Sequence, residues 1–252
     1  LPAGEMAGHT GRSHLPYEEA TAYSLPPKAL IGLLAPGFYG RSATGFWGNW
    51  ARVEVGYVGT ATMVLAAAGI GLACASWIVR VRNADSEPQA SQTCNQRAPF
   101  PAGFFALLVA LGFLLALGKH TPLYGLLYRY VPTFNQVRVP ARMVVLADLG
   151  LAALAAHGLD RLLCRPRPAA ATWIGLAATA VGIALLLLGL GQARAVPPER
   201  VAQVTTSVVI AAALLVLSGI LIWLLRWRRW TAWLLVGLLA ADLIALGSTL
   251  EI

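Results

Sequence analysis

The sequence predicts an all-α membrane protein: a polytopic helical bundle of about six transmembrane helices with additional interfacial or re-entrant segments. Of its 252 residues, 58% are apolar and only 12% are charged, roughly half the charged fraction of soluble domains. Mean hydropathy is +0.66, and several apolar runs approach the roughly 20 residues that cross a bilayer. The net charge of +8 lies largely in short loops between these runs. Membrane topology therefore explains it, and no nucleic-acid partner is expected.

Residues 1–56 are predicted to form an extracytoplasmic or interfacial segment. Within it, an apolar patch at residues 29–34 is stopped by Pro36 and Gly37. The patch is too short to cross a bilayer, which favours an interfacial or re-entrant turn. Residues 57–252 are predicted to form one transmembrane helical domain. Because the chain begins at Leu1 and ends just after an apolar run, we expect a fragment of a longer chain.

The transmembrane domain divides into six predicted spans. Between the second and third, Pro122–Tyr130 is amphipathic and too short to cross, so it predicts a helix at the membrane surface that ends before Pro132. Pro140 suits the first turn of the third span, where its missing N–H costs nothing. The six spans are residues 57–79, 100–118, about 141–163, 173–190, 204–225 and 230–246.

Arginine-rich loops predict the orientation. Loops 80–97, 161–168 and 226–229 fall on one side of the predicted bundle, and the positive-inside rule places them in the cytoplasm. The opposite side holds residues 119–142, which carry four cationic side chains besides His120 and no acidic one. Topology does not require positive charge on that side, which favours a functional role for it.

An anion site is predicted at the start of the third span. Arg138 and Arg142 are four residues apart, so they share a face if the helix has already formed around Pro140. The helix N-terminus adds positive potential, and arginine grips phosphate in bidentate fashion. Lys119 and His120, which follow the preceding span, are placed to face the same site. The alternative is that these side chains only reach towards lipid headgroups.

Aromatic and polar residues precede the first span. Trp47, Asn49, Trp50 and Glu54 combine stacking rings, an amide and a carboxylate, which suits contact with a sugar or an acceptor. Alternative roles for Glu54 are those of an acid or base and of an ion-pair partner for an arginine. The alternatives are an aromatic belt at the membrane surface and an ordinary interfacial ion pair.

Besides Asp160 near the cytoplasmic end of the third span, two carboxylates lie within the predicted spans, Asp148 and Asp242. Intramembrane carboxylates are costly, so each is either functional or hydrogen-bonded between helices. No catalytic residue is assigned. The spacing of Cys74, Cys94 and Cys164 fits no metal site. No cofactor is expected, although a divalent metal remains open.

A family resemblance rests mainly on residues 115–162. These contain LGKHTPLY, VPTFN, RVPAR and GLD, supported by LAPGFYG and WARVEVGYVG upstream and ADLIALG near the C-terminal end. The combination resembles the YfhO-type bacterial membrane proteins, which are similar to glycosyltransferases of the GT-C superfamily. The resemblance covers residues 30–252.

The resemblance implies a GT-C-like fold and a glycosyltransferase of the bacterial cytoplasmic membrane. It would move a sugar from a polyprenyl-phosphate donor to a cell-envelope acceptor at the outer face, with membrane lipids around it. The catalytic carboxylate would lie outside this fragment. The implied donor-phosphate residues are Arg138, Arg142, Lys119 and His120, and the implied sugar or acceptor contacts are Trp47, Asn49, Trp50 and Glu54.

Two other functions remain open. A transporter or flippase of a lipid-linked saccharide would share the anion site and use Asp148 or Asp242 as its coupling carboxylate. A non-catalytic structural subunit of a membrane complex would need neither the arginines nor the carboxylates.

Overall fold

The structure is a computed structural model that describes residues 16–40, 45–49, 56–82, 100–132, 134, 139–164, 168–192 and 197–248. The described residues contain helices and no strand, so the predicted all-α fold is confirmed. Short 3₁₀ helices occupy Pro27–Leu33, Gly118–His120 and Pro140–Met143. The α-helices are α1 (Tyr17–Ala20), α2 (Thr60–Arg82), α3 (Ala102–Ala116), α4 (Pro122–Tyr130), α5 (Val144–Cys164), α6 (Pro168–Gln192), α7 (Pro198–Leu224) and α8 (Thr231–Gly247).

An apolar helix lies at each of the six predicted spans, but the six differ in length. Four helical stretches are long and apolar enough to cross a membrane: Thr60–Ile78, Pro140–Cys164, Ala169–Gly189 and Pro198–Leu224. Helices α3 and α8 are apolar but shorter, with 15 and 17 residues. At about 1.5 Å per residue they measure roughly 22 and 26 Å, less than the roughly 30 Å of a hydrocarbon core. The four long helices give the bundle the helix lengths and composition of a membrane protein.

The short segments follow the sequence pattern. The apolar patch near residue 30 forms the 3₁₀ helix Pro27–Leu33, and turns follow at residues 36–39. The amphipathic stretch forms α4 with its predicted bounds and ends before Pro132. Proline at the first position fits both elements, because that N–H has no partner within a helix.

Small residues let the long helices meet backbone to backbone. Where α2 crosses α5, a Cβ atom on Gly158 would collide with the carbonyl oxygen of Leu65, and one on Gly69 would collide with that of Leu154. Helices α6 and α7 meet similarly, since a Cβ on Gly175 would lie 2.6 Å from the carbonyl oxygen of Gly219. Lipid supplies no hydrophobic force between helices, so such close contact stabilises the bundle.

The helices alternate in direction, which gives the bundle two ends. One end, called the pocket end here, gathers the starts of α2, α5 and α7 and the ends of α3, α6 and α8. The other, called the turn end, gathers the ends of α2, α5 and α7 and the starts of α3, α6 and α8. The three arginine-rich loops follow α2, α5 and α7, and these helices all end at the turn end.

The segment before α2 packs onto the pocket end of the bundle. The Leu25 N–H donates to the carbonyl oxygen of Ala116 at 2.8 Å, and the Ala141 N–H donates to that of Tyr23 at 3.3 Å. Leu25 is fully buried against Ala116 and Ala141. The segment therefore joins the end of α3 to the start of α5.

We expect Gly158→Ala to destabilise the protein by about 1–3 kcal/mol, because the added methyl group overpacks the crossing of α2 and α5. Gly71→Ala is the matched control, since nothing lies within 4 Å of a Cβ at that position. Thermal unfolding of both variants in detergent measures the difference. Equal melting temperatures for the two variants would contradict the backbone contact.

Candidate functional site

A cavity at the pocket end, called the cationic pocket here, joins several residues singled out from the sequence. Its volume is about 550 Å³, within the range of small-molecule sites. Lys119, His120, Trp47 and Asn49 all line it. Two predicted phosphate-binding residues and two predicted sugar-binding residues therefore share a cavity. The described residues that line it are Ala22, Ser24, Pro26, Lys28, Tyr39, Trp47, Gly48, Asn49, Lys119 and His120.

Ser24 and Gly118 position Lys119. Gly118 adopts a φ of +49°, a left-handed conformation that glycine accepts without strain. The Ser24 hydroxyl accepts a hydrogen bond from the Lys119 N–H at 3.1 Å and donates one to the Thr21 carbonyl oxygen at 2.7 Å. A Cβ on Gly118 would collide with this same hydroxyl. The turn after α3 is thus fixed against the N-terminal segment.

An aromatic cluster of Tyr39 and Trp47 forms part of the pocket wall. Trp47 donates twice to the backbone, from its indole N–H to the Phe38 carbonyl oxygen at 3.1 Å and from its own N–H to that of Tyr39 at 3.0 Å. The Tyr39 and Trp47 ring centroids lie 4.9 Å apart. Burial raises the pKa of Tyr39 above its ordinary value. From α7, Gln203 donates to the Gly37 carbonyl oxygen at 3.4 Å and ties the wall to the bundle.

The pocket is electrostatically positive. Lys28 and Lys119, the two lysines of the chain, both line it, together with His120. Among the described residues, no carboxylate lines the cavity and none pairs with these three side chains. Such a site attracts an anion, while the indole ring and the Asn49 amide suit a neutral polar group beside it.

Sequence reasoning missed Lys28, Ser24 and Tyr39. Lys28 lies in a stretch without helical periodicity that offers no motif. The signal that could have found Lys28 is the rarity of lysine. The chain has two lysines, and both line this cavity. Ser24 and Tyr39 gave no signal, since their roles depend on contacts between distant segments.

The structure describes only one member of the arginine pair. Val139 adopts a φ of +64°, so the helical path begins at Pro140 and does not run back through Val139. The pairing of Arg138 with Arg142 stays a prediction. Arg142 is exposed and does not line the cationic pocket. The remaining predicted site residues, Arg138, Trp50 and Glu54, lie outside the described residues.

Asp242 makes hydrogen bonds between helices. Its Oδ2 atom accepts one from the Tyr57 hydroxyl at 2.8 Å and one from the Thr60 N–H at 3.3 Å. The carboxylate on α8 thus caps the first turn of α2, where the helix dipole favours negative charge. This arrangement agrees with the structural alternative for Asp242.

Asp148 differs from Asp242 because its carboxylate is incompletely satisfied. A Cβ on Gly56 would collide with that carboxylate. Helix α5 therefore lies very close to the short segment that precedes α2. The buried Oδ1 atom accepts no hydrogen bond from any described residue. No group of three or more His, Cys, Asp or Glu side chains in the described ranges is placed to hold a metal ion. Asp148 is therefore a candidate for carrying a proton.

We expect Tyr57→Phe to destabilise the protein by about 1–3 kcal/mol, the usual contribution of a hydrogen bond to a charged group. Tyr130→Phe is the control, because Tyr130 is 71% exposed. Asp242→Asn keeps an acceptor oxygen and should lose less stability than Asp242→Leu. Thermal unfolding in detergent tests the series, and an unchanged melting temperature in Asp242→Leu would show that the cap is dispensable.

Comparisons with known proteins place no further constraint on this site. Neither a family model, nor a curated protein, nor a solved structure matches the chain.

Proposed function

We propose that the cationic pocket binds the phosphate and the adjoining sugar of a lipid-linked saccharide, within a membrane glycosyltransferase that serves the cell envelope. The observation that supports this is the composition of one cavity of about 550 Å³. Two lysines and a histidine lie on the same cavity as a tryptophan and an asparagine, without a carboxylate among the lining residues. Phosphate needs the cations, and a sugar needs the ring and the amide.

The membrane helices supply the second part of the argument. Four of them are long and apolar enough to cross a bilayer, and the pocket lies where α3 ends and α5 begins. A polyprenyl chain is apolar, so a donor's tail would lie in the bilayer while its phosphate meets the cationic end of α3. The resemblance of residues 115–162 to YfhO-type proteins points to the same class of donor and to the bacterial cytoplasmic membrane.

The proposed reaction is a direct displacement at the anomeric carbon. An acceptor hydroxyl forms the new bond to that carbon, and its proton passes to a carboxylate that lies outside the pocket. The bond from the anomeric carbon to the phosphate oxygen breaks, and the lipid phosphate leaves with the electron pair. Lys28, Lys119 and His120 stabilise the negative charge on the leaving phosphate. Arg138 remains a proposed donor-phosphate residue, whereas Arg142 does not line the pocket.

We expect Lys28→Ala and Lys119→Ala each to weaken binding of a polyprenyl-phosphate-linked sugar about 10- to 100-fold, since each removes a charged hydrogen bond of roughly 1.5–3 kcal/mol. Arg129→Ala is the control, because Arg129 is an exposed cation on α4 that does not line the pocket. Binding to full-length protein in nanodiscs is measured by isothermal titration. Equal affinities in all three variants would remove the lysines from the site.

The contribution of the sugar to binding can be measured separately from that of the phosphate. Asn49→Ala should weaken binding of the sugar-bearing lipid while leaving polyprenyl phosphate unaffected, because the amide faces the sugar. Arg138→Ala should abolish sugar transfer with little loss of folded protein. Normal transfer by this variant would leave donor binding to the lysines.

A transporter or flippase is the second candidate, and one observation favours it. The Asp148 carboxylate lies against Gly56 with a buried oxygen that accepts no hydrogen bond from the described residues. Intramembrane carboxylates of this kind often carry coupling protons. Asp148→Asn should then abolish flipping of a labelled lipid-linked sugar in proteoliposomes, whereas Asp242→Asn should not. Flipping without any transfer product would favour this candidate over the glycosyltransferase.

A further inference from the structure

The turn end of the bundle carries a second cationic surface, unrelated to the pocket. We call it the tryptophan–arginine turn. It is formed by the end of α7, the connection to α8 and the start of α6. Its residues are Thr172, Trp173, Trp223, Arg226, Trp227, Arg228, Arg229, Trp230 and Trp233.

Arg226 is held in place by neighbours from two helices. The centre of its guanidinium group lies 4.3 Å from the Trp227 ring centroid and 5.1 Å from the Trp223 ring centroid. One guanidinium nitrogen donates to the Thr172 hydroxyl on α6 at 3.2 Å. The two indole rings themselves meet edge to face at 4.8 Å. Because a guanidinium group has five N–H donors, most remain available to an anion although the group is already positioned.

The backbone of the turn is also fixed. The Arg228 carbonyl oxygen accepts hydrogen bonds from the Thr231 N–H at 3.1 Å and from the Thr231 hydroxyl at 2.7 Å. The Arg229 carbonyl oxygen accepts one from the Ala232 N–H at 3.1 Å. The arginine side chains therefore project from a defined scaffold, which lowers the entropic cost of binding.

No carboxylate among the described residues neutralises the positive charge of the turn. Arg226, Arg228 and Arg229 are exposed, and none forms an ion pair with a carboxylate in the part of the chain that the structure describes. No Asp or Glu occurs between residues 168 and 192 or between residues 200 and 241. The cluster needs an anion from outside these helices.

The exposed indole rings indicate where that anion lies. Trp173 is 72% exposed and Trp233 is 78% exposed, beside Trp227 and Trp230, which are also exposed. Tryptophan concentrates at the boundary between hydrocarbon and headgroups, so these rings set the turn at the depth of the lipid phosphates. Basic sites of this kind between helices bind anionic headgroups.

We propose that the tryptophan–arginine turn is a binding site for an anionic phospholipid. The preorganised guanidinium of Arg226 binds the phosphate through parallel N–H bonds, and Arg228 and Arg229 add attraction for a headgroup with net negative charge. The indole rings pack against the upper acyl chains. The site lies at the opposite end of the bundle from the cationic pocket and does not depend on its proposed function.

Arg226→Lys is the sharpest test, because it keeps the charge but removes the planar donor fork. Full-length protein in detergent is titrated with short-chain phosphatidylglycerol or with short-chain phosphatidylcholine, and binding is read by native mass spectrometry. We expect at least a 10-fold preference for the anionic lipid and a loss of at least 5-fold in Arg226→Lys. The control Arg200→Gln, at the pocket end of α7, should keep the preference.

Three results would overturn the proposal: equal binding of both lipids, an unchanged preference in Arg226→Lys, or the same loss in Arg200→Gln. Glycerol phosphate, the free headgroup, should bind at least 10-fold more weakly than the lipid. Equal binding of the two would show an anion site without lipid specificity and would also overturn it.

A measurement on the unmodified protein guards against misfolded variants. Trp77, Trp173, Trp223, Trp227, Trp230 and Trp233 account for six of the eight tryptophans and belong to the turn end. A nitroxide on the upper acyl chain of phosphatidylglycerol should therefore quench fluorescence at least twice as strongly as the same label on phosphatidylcholine. Equal quenching in mixed vesicles would count against a specific site.

Discussion

Close backbone contact with α5 is the constraint on which the rest of the bundle depends. Gly158 admits α2 on one side, and Gly150 admits α3, since a Cβ there would lie 2.9 Å from the Phe105 carbonyl oxygen. In lipid the surrounding tails are as apolar as the side chains, so helices associate through such fits and through polar contacts. Because α5 holds both neighbours closely, the end of α3 lies beside the start of α5. That juncture forms one wall of the cationic pocket.

Polar groups at the pocket end are arranged in layers. Asp242 accepts a hydrogen bond from the Thr60 N–H at the start of α2. This is a structural role for an intramembrane carboxylate. Asp148, on α5, lies against Gly56 in the segment before α2, and Asp242 lies near Gly59 in the same segment. These two glycines are at most about 11 Å apart. Nearer the surface lie the cations Lys28, Lys119 and His120, around a cavity with no carboxylate among its described lining residues. An anion is thus attracted to this cavity.

The two ends of the bundle carry different cationic side chains. The pocket end carries the two lysines, whose compact charges suit a ligand that must also leave. The turn end carries Arg226, held by indole rings and by a hydroxyl from another helix. A rigid, planar cation suits a lipid that stays bound. This division follows from the chemistry of the two side chains and agrees with the separation of the two sites along the helices.

The sequence by itself determined the helical class, the positions of the six apolar helices and the bounds of α4, because apolar length and periodicity are local properties. It also identified Lys119, His120, Trp47 and Asn49 as candidates. Only the tertiary structure placed these four on one cavity, added Lys28 and assigned Asp242 to the cap of α2, since each depends on segments up to 185 residues apart. The left-handed backbone of Val139, where the helical path towards Arg142 begins, is a feature that no periodicity predicts. Helical patterns report one face of one helix, and which faces meet is decided by packing.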